Sequence, residues 1–305
     1  MLEAIRRRLG FASAADLASD EERHWIHDTW VIEPIRLGVV ARAVELWRYR
    51  RIIWFLARNA VKDRYSGMTL GVAWLFIRPL APLLISSVIF GSLLGVASDG
   101  VPYFLFFLAG SSVWRVFERT ILWVTRSLEQ HRGLLKKVYF PRLAAPIASA
   151  TPAAAEFGIF LGLMVLATFY YWWKDGVFYL RIGPEMLFGL LSGFLAILFA
   201  TSVSLFTTVL HTKHKDMQYS VRYLSQFWGY VTPVIYPLTS VPDKYRWAIN
   251  LNPMTGIIEG FKWGMLGIGK APGLEFLYSV FATLAVLTVG IWFFNRSEGG
   301  SVDRL

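Results

Sequence analysis

Long apolar runs, separated by basic or proline-containing connections, dominate the pattern of the chain. Six of these runs are long enough for a helix that crosses the roughly 30 Å hydrocarbon core of a bilayer, which needs about 20 residues. They lie at about residues 69–94, 102–125, 144–173, 185–210, 220–239 and 274–294. The pattern predicts an all-α polytopic membrane protein with six transmembrane helices, of which the second and fifth are the least hydrophobic.

The composition supports this prediction. Of the 305 residues, 55% are hydrophobic and 16% are aromatic, and the mean hydropathy is +0.46. Charged residues make up 17%, against roughly 25% in soluble domains. A soluble core of this size could not hold so much apolar surface, so the bilayer must solvate part of it. The chain has no cysteine, which excludes disulfides and cysteine-ligated metals.

The positions of lysine and arginine predict the orientation of the spans. Of the 31 such residues, 22 lie before the first span or after the second, fourth and last, six lie on the opposite side, and three lie inside spans. Because cytoplasmic loops carry the excess of positive charge, both termini are expected in the cytoplasm. Residues 1–41 then form a cytoplasmic extension, and residues 42–305 form the six-span domain. The net charge of +10 follows this distribution, so it does not indicate binding to nucleic acid.

Two shorter segments also have helical patterns. Residues 42–64 place apolar side chains on one helix face and cations on the opposite face, which is typical of an amphipathic helix in the membrane interface. This helix is either a surface anchor alone or also transmits force to the first span. On the extracytoplasmic side, Asn252 and Pro253 have the pattern of an N-cap and a first helical position. They predict a helix over about 253–266 that is too short to span and lies at, or dips into, the outer leaflet.

The segment GLLKKVYFPRLAAP, residues 133–146, connects the second and third spans and is called the basic segment below. Its pattern predicts a short helix that ends at Pro141, since proline restricts the residue before it. Two interpretations remain open: a positively charged loop with aromatic anchors in the interface, or a docking site for a soluble partner, formed by apolar side chains rimmed by cations. The candidate docking residues are Leu134, Leu135, Lys136, Lys137, Val138, Tyr139, Phe140, Pro141 and Arg142.

Aromatic residues recur at helical spacing along the second and fifth spans. Each of them is compatible with an interfacial belt or with core packing. Alternatively, both stripes line a channel, because aromatic faces stack on the C–H groups of sugar rings without fixing the register of a polymer. The candidate channel residues are Tyr103, Phe107, Trp114 and Phe117 in the second span and Tyr223, Phe227 and Tyr230 in the fifth.

Charged residues within spans need a separate explanation, since a charge near the bilayer centre costs roughly 2.5–3.5 kcal/mol on insertion scales. Glu118 is spaced to pair with Arg115 on its own helix, and Arg119 is adjacent. Either these residues lie near the cytoplasmic surface of the bilayer and their side chains extend towards the cytoplasm, or they form a hydrophilic vestibule. In the second case, Arg78, Arg115 and Arg119 would hold the pyrophosphate of a lipid-linked sugar through their planar guanidinium groups.

The residue types inside the spans disfavour a membrane-embedded enzyme. An acyl- or glycosyltransferase would need a clustered acid, base or nucleophile, and carboxylates inside the spans are few, with Glu118 the most central. His24 and His27, like His211 and His214, are spaced i, i+3, but two ligands are too few for a metal site. We expect these histidines to be solvated and the chain to hold no metal.

Four strings of the sequence resemble one known family. KKVYFPR (136–142) resembles the stretch after the second span in the membrane subunits of the ABC exporters for O-antigen and teichoic-acid type polysaccharides, which are type-2 ABC permeases. Three more strings resemble the same family in the same order and spacing: LGVAWLFIRPL (70–80), SDGVPYFLFFLAG (98–110) and LNPMTGIIEGFKWGML (251–266). The similarity extends from about Leu46 to Phe294, so it covers all six predicted spans.

This resemblance implies a half-sized permease that pairs as a homodimer and binds two copies of a separate ABC ATPase subunit. ATP and magnesium would belong to that subunit, and a coupling helix at about 133–140 would pass its motion to the spans. The chain has no G-x-x-x-x-G-K-[S/T] string, so we expect it to bind no cofactor and to hydrolyse no ATP. The implied cargo is a lipid-linked polysaccharide that crosses the bacterial inner membrane. The alternative is another cargo on the same architecture, such as a drug, a lipid or haem.

Overall fold

The computed structural model of this chain describes residues 39–65 and 73–301. In these two ranges the chain forms helices and no β-strand, which confirms the prediction of an all-α protein. The predicted cytoplasmic extension, residues 1–41, lies outside the described residues except for 39–41.

Twelve α-helices follow one another along the described residues. A π-helical turn, Ser87–Leu93, continues α3, and a short 3₁₀ turn, Leu238–Ser240, precedes α10. The helices are α1 (Val39–Arg48), α2 (Arg50–Tyr65), α3 (Ala73–Ser86), α4 (Tyr103–Thr125), α5 (Ser127–Gln130), α6 (Arg132–Leu135), α7 (Ala144–Asp175), α8 (Pro184–Lys213), α9 (Met217–Val231), α10 (Asp243–Asn250), α11 (Pro253–Leu266) and α12 (Leu274–Ser301).

Four helical stretches in the described residues are long and apolar enough to cross a membrane, so the chain is a multi-pass membrane protein. The first combines α3 with the π-helical turn, and the others belong to α7, α8 and α12. They comprise Phe76–Leu93, Ala144–Asp175, Pro184–Lys213 and Leu274–Ser297. All four lie at predicted spans.

The remaining two predicted spans differ from these four in composition or length. α4 has 23 residues, about 35 Å, but carries three charged side chains. α9 has 15 residues, about 22 Å, and ends at Val231 rather than continuing to residue 239. The helix ends there because Thr232 is extended, the conformation that Pro233 favours in the residue before it.

α8 lies at the centre of the helix bundle, where it packs against α4, α7, α11 and α12. At the contact with α11, a Cβ added to Gly264 would lie 2.5 Å from the backbone nitrogen of Gly189, so the close approach of the two helices requires glycine. α11 is buried inside the bundle, and its 14 residues, about 21 Å, are too few to span. Its N-cap is Asn252, whose side chain accepts a hydrogen bond from the Met254 amide at 3.1 Å.

The amphipathic segment predicted at 42–64 consists of two helices, α1 and α2, which meet at Tyr49. At this junction the Ile52 amide donates to the Tyr49 carbonyl at 2.9 Å. This bond joins residues three positions apart, as in a 3₁₀ turn, rather than four apart as in an α-helix. α2 packs on α7, and Leu56 and Ala57 are the α2 side chains buried at that contact. One face of α2 is therefore packed against α7.

Candidate functional site

The basic segment divides into an exposed part and a buried part. After α6 ends at Leu135, the Val138 amide donates to the Leu134 carbonyl at 3.0 Å and turns the chain. Pro141 is buried and Arg142 is half-buried. The exposed side chains are Lys136, Lys137, Val138 and Tyr139. Two cations and two apolar side chains are thus presented together at the surface.

The buried part of the basic segment packs on α2. Phe140 lies in one apolar cluster with Leu56 and Ala57 of α2. Leu134 and Leu135 pack against the same cluster. Because close-packed side chains transmit strain, a displacement of the basic segment acts directly on α2.

A hydrogen-bonded cluster lies just before the basic segment. His211, in the last turn of α8, is 4% exposed, and its Nε2 lies 3.1 Å from Oε2 of Glu129 in α5. The same carboxylate pairs with Arg126 at 3.6 Å. The expectation of a solvated histidine is therefore wrong for His211, since the end of α8 packs against α5, whereas His214 is exposed. Outside the described residues lie His24 and His27.

Acid is expected to destabilise this cluster. The hydrogen bond with His211 holds the pKa of the Glu129 carboxyl below its ordinary value of 4.5. The unfolded chain then binds more protons in this range, so stability is full above the ordinary pKa and falls as the pH drops through the folded-state pKa. In detergent, the apparent melting temperature should fall below about pH 4.5, and Glu129→Gln should weaken that dependence. An identical fall in the wild type and in Glu129→Gln would contradict this role.

The aromatic stripe of α4 lies inside the protomer. Its four members are at most 9% exposed: Tyr103, Phe107, Trp114 and Phe117. The Phe117 ring centre lies 5.7 Å from that of Phe199 in α8 and 5.2 Å from that of Trp228 in α9. For these four residues the structure agrees with the packing interpretation, because neighbouring helices cover the face that the sequence pattern assigned to a channel.

The stripe of α9, formed by Tyr223, Phe227 and Tyr230, is exposed. These side chains are 65%, 67% and 70% exposed, respectively. Another side of α9 packs on α4, where a Cβ added to Gly229 would lie 2.8 Å from Nε1 of Trp114. Of the two predicted stripes, the α9 stripe is the one that a molecule outside the protomer can contact, and the α4 stripe supports it from behind.

The charges within α4 are balanced partly by α7. Nε of Arg119 lies 3.1 Å from Oε1 of Glu156, and both side chains are half-buried. Among the described residues, no ion pair joins Arg115 to Glu118, although their spacing allows one. Arg78 is exposed on α3. The close salt bridge in this region therefore joins α4 to α7.

A polar cavity of about 400 Å³ lies beside Arg119, lined by the ends of α2 and α4, by α5 and by α9. Its lining includes one carboxylate, one indole ring and four guanidinium groups, from Glu118, Trp123, Arg64, Arg119, Arg126 and Arg222. We call it the arginine cavity. Three of its other lining residues are glutamines, which leaves a formal excess of three positive charges around the space.

Several arginines of this cavity are held in fixed orientations. The guanidinium carbon of Arg64, in α2, lies 3.7 Å from the centre of the Trp123 ring, a cation–π contact. Arg119 is held by Glu156 in α7, and Arg126 by a carboxylate of α5. Guanidinium groups arranged in this way suit phosphate oxygens, which they bind through two parallel hydrogen bonds.

The predicted vestibule and the arginine cavity share one residue. Arg119 lines the cavity, whereas Arg78 and Arg115 are not among its lining residues. The sequence pattern did not single out Arg64 or Trp123, because Arg64 is one of many cations that precede the first predicted span. The available signal was that Trp123 follows Arg119 by four residues, which places the two side chains on one face of α4.

Lys262 in α11 is a further residue that the sequence pattern did not single out. Its side chain is 1% exposed, and Nζ donates to the Pro233 carbonyl at 2.7 Å and to Oε1 of Glu259 at 3.2 Å. The ammonium also lies 4.0 Å from the centre of the Phe106 ring in α4. Because the Pro233 carbonyl belongs to the segment that follows α9, Lys262 fastens that segment to the buried helix α11.

Comparison with known protein families agrees with this helical membrane architecture. The family model described as ABC-2 type transporter matches residues 51–266, which is most of the chain. The chain belongs to the ABC-2 type transporter family. This match confirms the resemblance that four strings of the sequence indicate. Members of this family are the membrane subunits of transporters.

Relatives of this ABC-2 permease export polysaccharides. The O-antigen export system permease protein RfbA of Myxococcus xanthus is 25% identical over 246 residues, which cover 80% of this chain and 90% of the relative. RfbA of Klebsiella pneumoniae is 24% identical over 242 residues, covering 79% and 90%. The polysialic acid transport protein KpsM of Escherichia coli is 22% identical over 239 residues, covering 78% and 90%.

Proposed function

We propose that this ABC-2 permease is the membrane subunit of an ATP-driven exporter that moves a lipid-linked polysaccharide from the cytoplasm to the outer face of the bacterial inner membrane. The observation that carries this proposal is the similarity, over 80% of the chain, to a permease that exports O-antigen. ATP hydrolysis is assigned to a separate ABC ATPase, because permeases of this family generally work with such a subunit. The complete exporter contains two copies of this chain and two of the ATPase.

In this proposal the chain crosses the membrane six times, with both termini in the cytoplasm. α4 crosses despite its charges because Glu118 and Arg119 line the arginine cavity, and Arg119 also pairs with Glu156, so neither charge is left alone in lipid. α9 is short, and the buried residues Thr232, Pro233 and Val234 continue its crossing. Non-helical backbone is tolerated at membrane depth where protein satisfies its polar groups. The bond from Lys262 to the Pro233 carbonyl meets that requirement.

The basic segment is the proposed docking surface for the ATPase. Lys136, Lys137, Val138 and Tyr139 would contact the partner, while the buried part of the segment transmits its motion to α2. Since α2 is one helix from Arg50 to Tyr65, movement at Leu56 also moves Arg64, which lines the arginine cavity. α2 thereby connects the ATPase to the cavity, which favours the force-transmitting interpretation of the amphipathic segment.

The arginine cavity is the proposed binding site for the pyrophosphate that joins lipid to glycan. Its excess of positive charge suits a diphosphate, and α2 places it near the interface where a lipid tail enters the bilayer. Arg119 belongs to this site, with Arg64, Arg126 and Arg222, while Arg78 and Arg115 would act at a distance.

Removing cavity arginines should weaken substrate binding and leave folding intact. The double variant Arg64→Ala/Arg222→Ala loses charge-assisted hydrogen bonds, so the glycolipid concentration that half-stimulates ATP hydrolysis should rise at least about tenfold. The measurement uses the reconstituted permease–ATPase complex. Lys213→Ala, an exposed cation outside the cavity, is the matched control. A wild-type response from the double variant would exclude the cavity as the phosphate site.

The channel is proposed to lie at the centre of the homodimer, lined by the α9 stripes of both copies. Exposed aromatic rings at Tyr223, Phe227 and Tyr230 offer flat surfaces to sugar rings. The α4 stripe contributes by packing, since Trp114 contacts α9 where Gly229 provides space.

The two stripes should respond differently to truncation. Tyr230→Ala should leave the melting temperature near that of the wild type but reduce the amount of exported glycan severalfold, because Tyr230 is exposed. Trp114→Ala should destabilise the protein by about 3–5 kcal/mol, as expected for a buried Trp. Melting curves and glycan gels measure both effects. Unchanged glycan amount and length in Tyr223→Ala/Phe227→Ala/Tyr230→Ala would rule out the α9 stripe as the channel wall.

Deleting the gene tests the function itself. The surface polysaccharide should disappear while its lipid-linked form accumulates in the inner membrane, and expression of the intact chain should restore export. Unchanged surface polysaccharide would contradict the proposal. Accumulation of a drug, lipid or haem in place of glycolipid would assign another cargo to the same architecture.

A further inference from the structure

A pocket of about 330 Å³ lies where α10, α11 and the start of α12 meet, and we call it the outer pocket. Thr239, in its wall, donates to Asp99 at 3.0 Å, in the loop before α4. The basic segment follows the other end of α4, so pocket and basic segment lie at opposite ends of that helix. The volume lies at the lower end of the roughly 300–1,000 Å³ range of small-molecule sites.

Glycines of α11 give the outer pocket part of its lining. Gly256 and Gly260 both line it. A Cβ added to Gly256 would lie 2.6 Å from the Glu275 carbonyl oxygen, so α11 and α12 pack backbone to backbone beside the pocket. Because these glycines carry no side chain, α11 lies close against its neighbouring helices, and the loop at 269–273 closes the other side of the pocket.

The polar lining combines groups that only donate with groups that only accept. Arg246 and Lys270 are donors, and Glu259 and Glu275 accept when ionised. These charges balance, so a strongly charged ligand gains little net attraction. A hydroxyl group can donate to a carboxylate and accept from a cation at the same time. The lining therefore favours a neutral ligand with several hydroxyl groups.

Asn250 adds an unused acceptor to this wall. Its Oδ1 is buried, and no donor in the described part of the chain reaches it. A buried acceptor without a donor is unfavourable. Because this oxygen has no exposed surface, a sugar hydroxyl group reaches it only if the Asn250 side chain rotates towards the pocket, and the hydrogen bond gained would favour that rotation.

The remaining lining is apolar and includes Leu238, Pro272 and Phe276. A sugar ring has this same division, with C–H groups on its faces and hydroxyl groups at its edge. An apolar wall beside a mixed donor and acceptor wall thus matches a single pyranose ring better than a flat apolar ligand.

We propose that the outer pocket binds one neutral sugar ring of the exported glycan after it has crossed the membrane. This rests on the proposed function, because polysaccharide export is what brings sugar to this end of the molecule. A bound sugar would affect α9 through two hydrogen bonds. Glu259 lines the pocket, and its Oε1 accepts a hydrogen bond from Lys262. Lys262 also donates to the Pro233 carbonyl, which follows α9. A sugar hydroxyl on Glu259 would therefore act on the bonds that fix the end of the α9 stripe.

Saturation-transfer difference NMR on the full chain in lipid nanodiscs tests this site. The probes are methyl glycosides of glucose, galactose, mannose and N-acetylglucosamine, with inorganic phosphate in competition. At least one glycoside should give a signal. Ala271→Trp, which fills the pocket from its exposed loop, should reduce that signal at least about fivefold. Ala97→Trp, in the exposed loop before α4, is the control and should leave it unchanged.

A second variant distinguishes the loss of the site from misfolding of the first variant. Glu275→Ala removes an acceptor at an exposed position and should also weaken the signal. Absence of any glycoside signal, its survival in both pocket variants, or its displacement by phosphate would overturn the proposed site. If surface glycan is still exported in cells under that result, the sugar pocket is wrong and the exporter function stands.

Discussion

The double variant Lys136→Glu/Lys137→Glu is expected to lose its ATPase partner. Both lysines are exposed beside Val138 and Tyr139, so the substitution reverses the charge around the apolar contact without disturbing the buried part of the basic segment. The cationic docking surface is proposed to meet an acidic surface of the ATPase. Reversing its charge would then place like charges together, which costs several kcal/mol, so co-purification of the ATPase should fall at least about a hundredfold. Surface glycan should disappear with it. Quantitative immunoblotting of the ATPase retained by a tagged permease measures the effect.

Another pair of exposed lysines supplies the matched control. Lys213→Glu/Lys215→Glu changes the net charge equally, at the last residue of α8 and in the connection to α9. It should retain the ATPase, because the docking surface is assigned to the basic segment. Equal loss in both double variants would indicate a general charge effect, and normal assembly of Lys136→Glu/Lys137→Glu would contradict the docking surface.

Lys262→Ala is expected to destabilise the protein strongly, as much as the truncation of the buried Trp114. It removes a buried ammonium that bonds the Pro233 carbonyl and Glu259, leaving a carbonyl and a carboxylate without their donor. Breaking a buried pair in this way costs about 3–5 kcal/mol. The apparent melting temperature in detergent should therefore fall by about 10 °C. Lys270→Ala, at an exposed lysine after α11, should stay within about 0.5 kcal/mol of the wild type.

A compensating variant distinguishes lost charge pairing from lost packing. Lys262→Met keeps most of the side-chain volume, and combining it with Glu259→Gln removes the unpaired carboxylate. The double variant should be more stable than Lys262→Met alone, because a buried pair replaced as a unit costs less than a broken one. If Lys262→Met alone matches the wild type, the ammonium has no structural role.

The sequence predicted much of the helical architecture, because the length of an apolar run is a strong signal for a spanning helix. The runs at 144–173, 185–210 and 274–294 became α7, α8 and α12, and the Asn252–Pro253 pattern marked the start of α11. The fifth predicted span, 220–239, extends further than the helix that forms there. Its apolar residues continue past Pro233, but Thr232 adopts the extended conformation and the helix stops at Val231.

Side-chain environments were harder to predict, because periodicity identifies a helix face without identifying what covers it. The stripes of α4 and α9 look alike in sequence, yet Trp114 is buried and Tyr230 is exposed. Similarly, the position of Lys262 in the sequence does not indicate its bond to the Pro233 carbonyl, because the two residues lie 29 positions apart. Arg64 and Trp123 lie 59 positions apart in sequence, so their contact depends on how α2 and α4 pack.

Sidedness of single cysteines tests the central claim, that the basic segment faces the cytoplasm and the loop before α4 faces outward. The chain has no cysteine, so each introduced thiol reports one position. In intact spheroplasts, a membrane-impermeant maleimide should label Ala97→Cys at once and Tyr139→Cys only after the membrane is permeabilised. Labelling of Tyr139→Cys in intact spheroplasts would place the basic segment outside the cell, where no ATPase could dock, and would contradict the account.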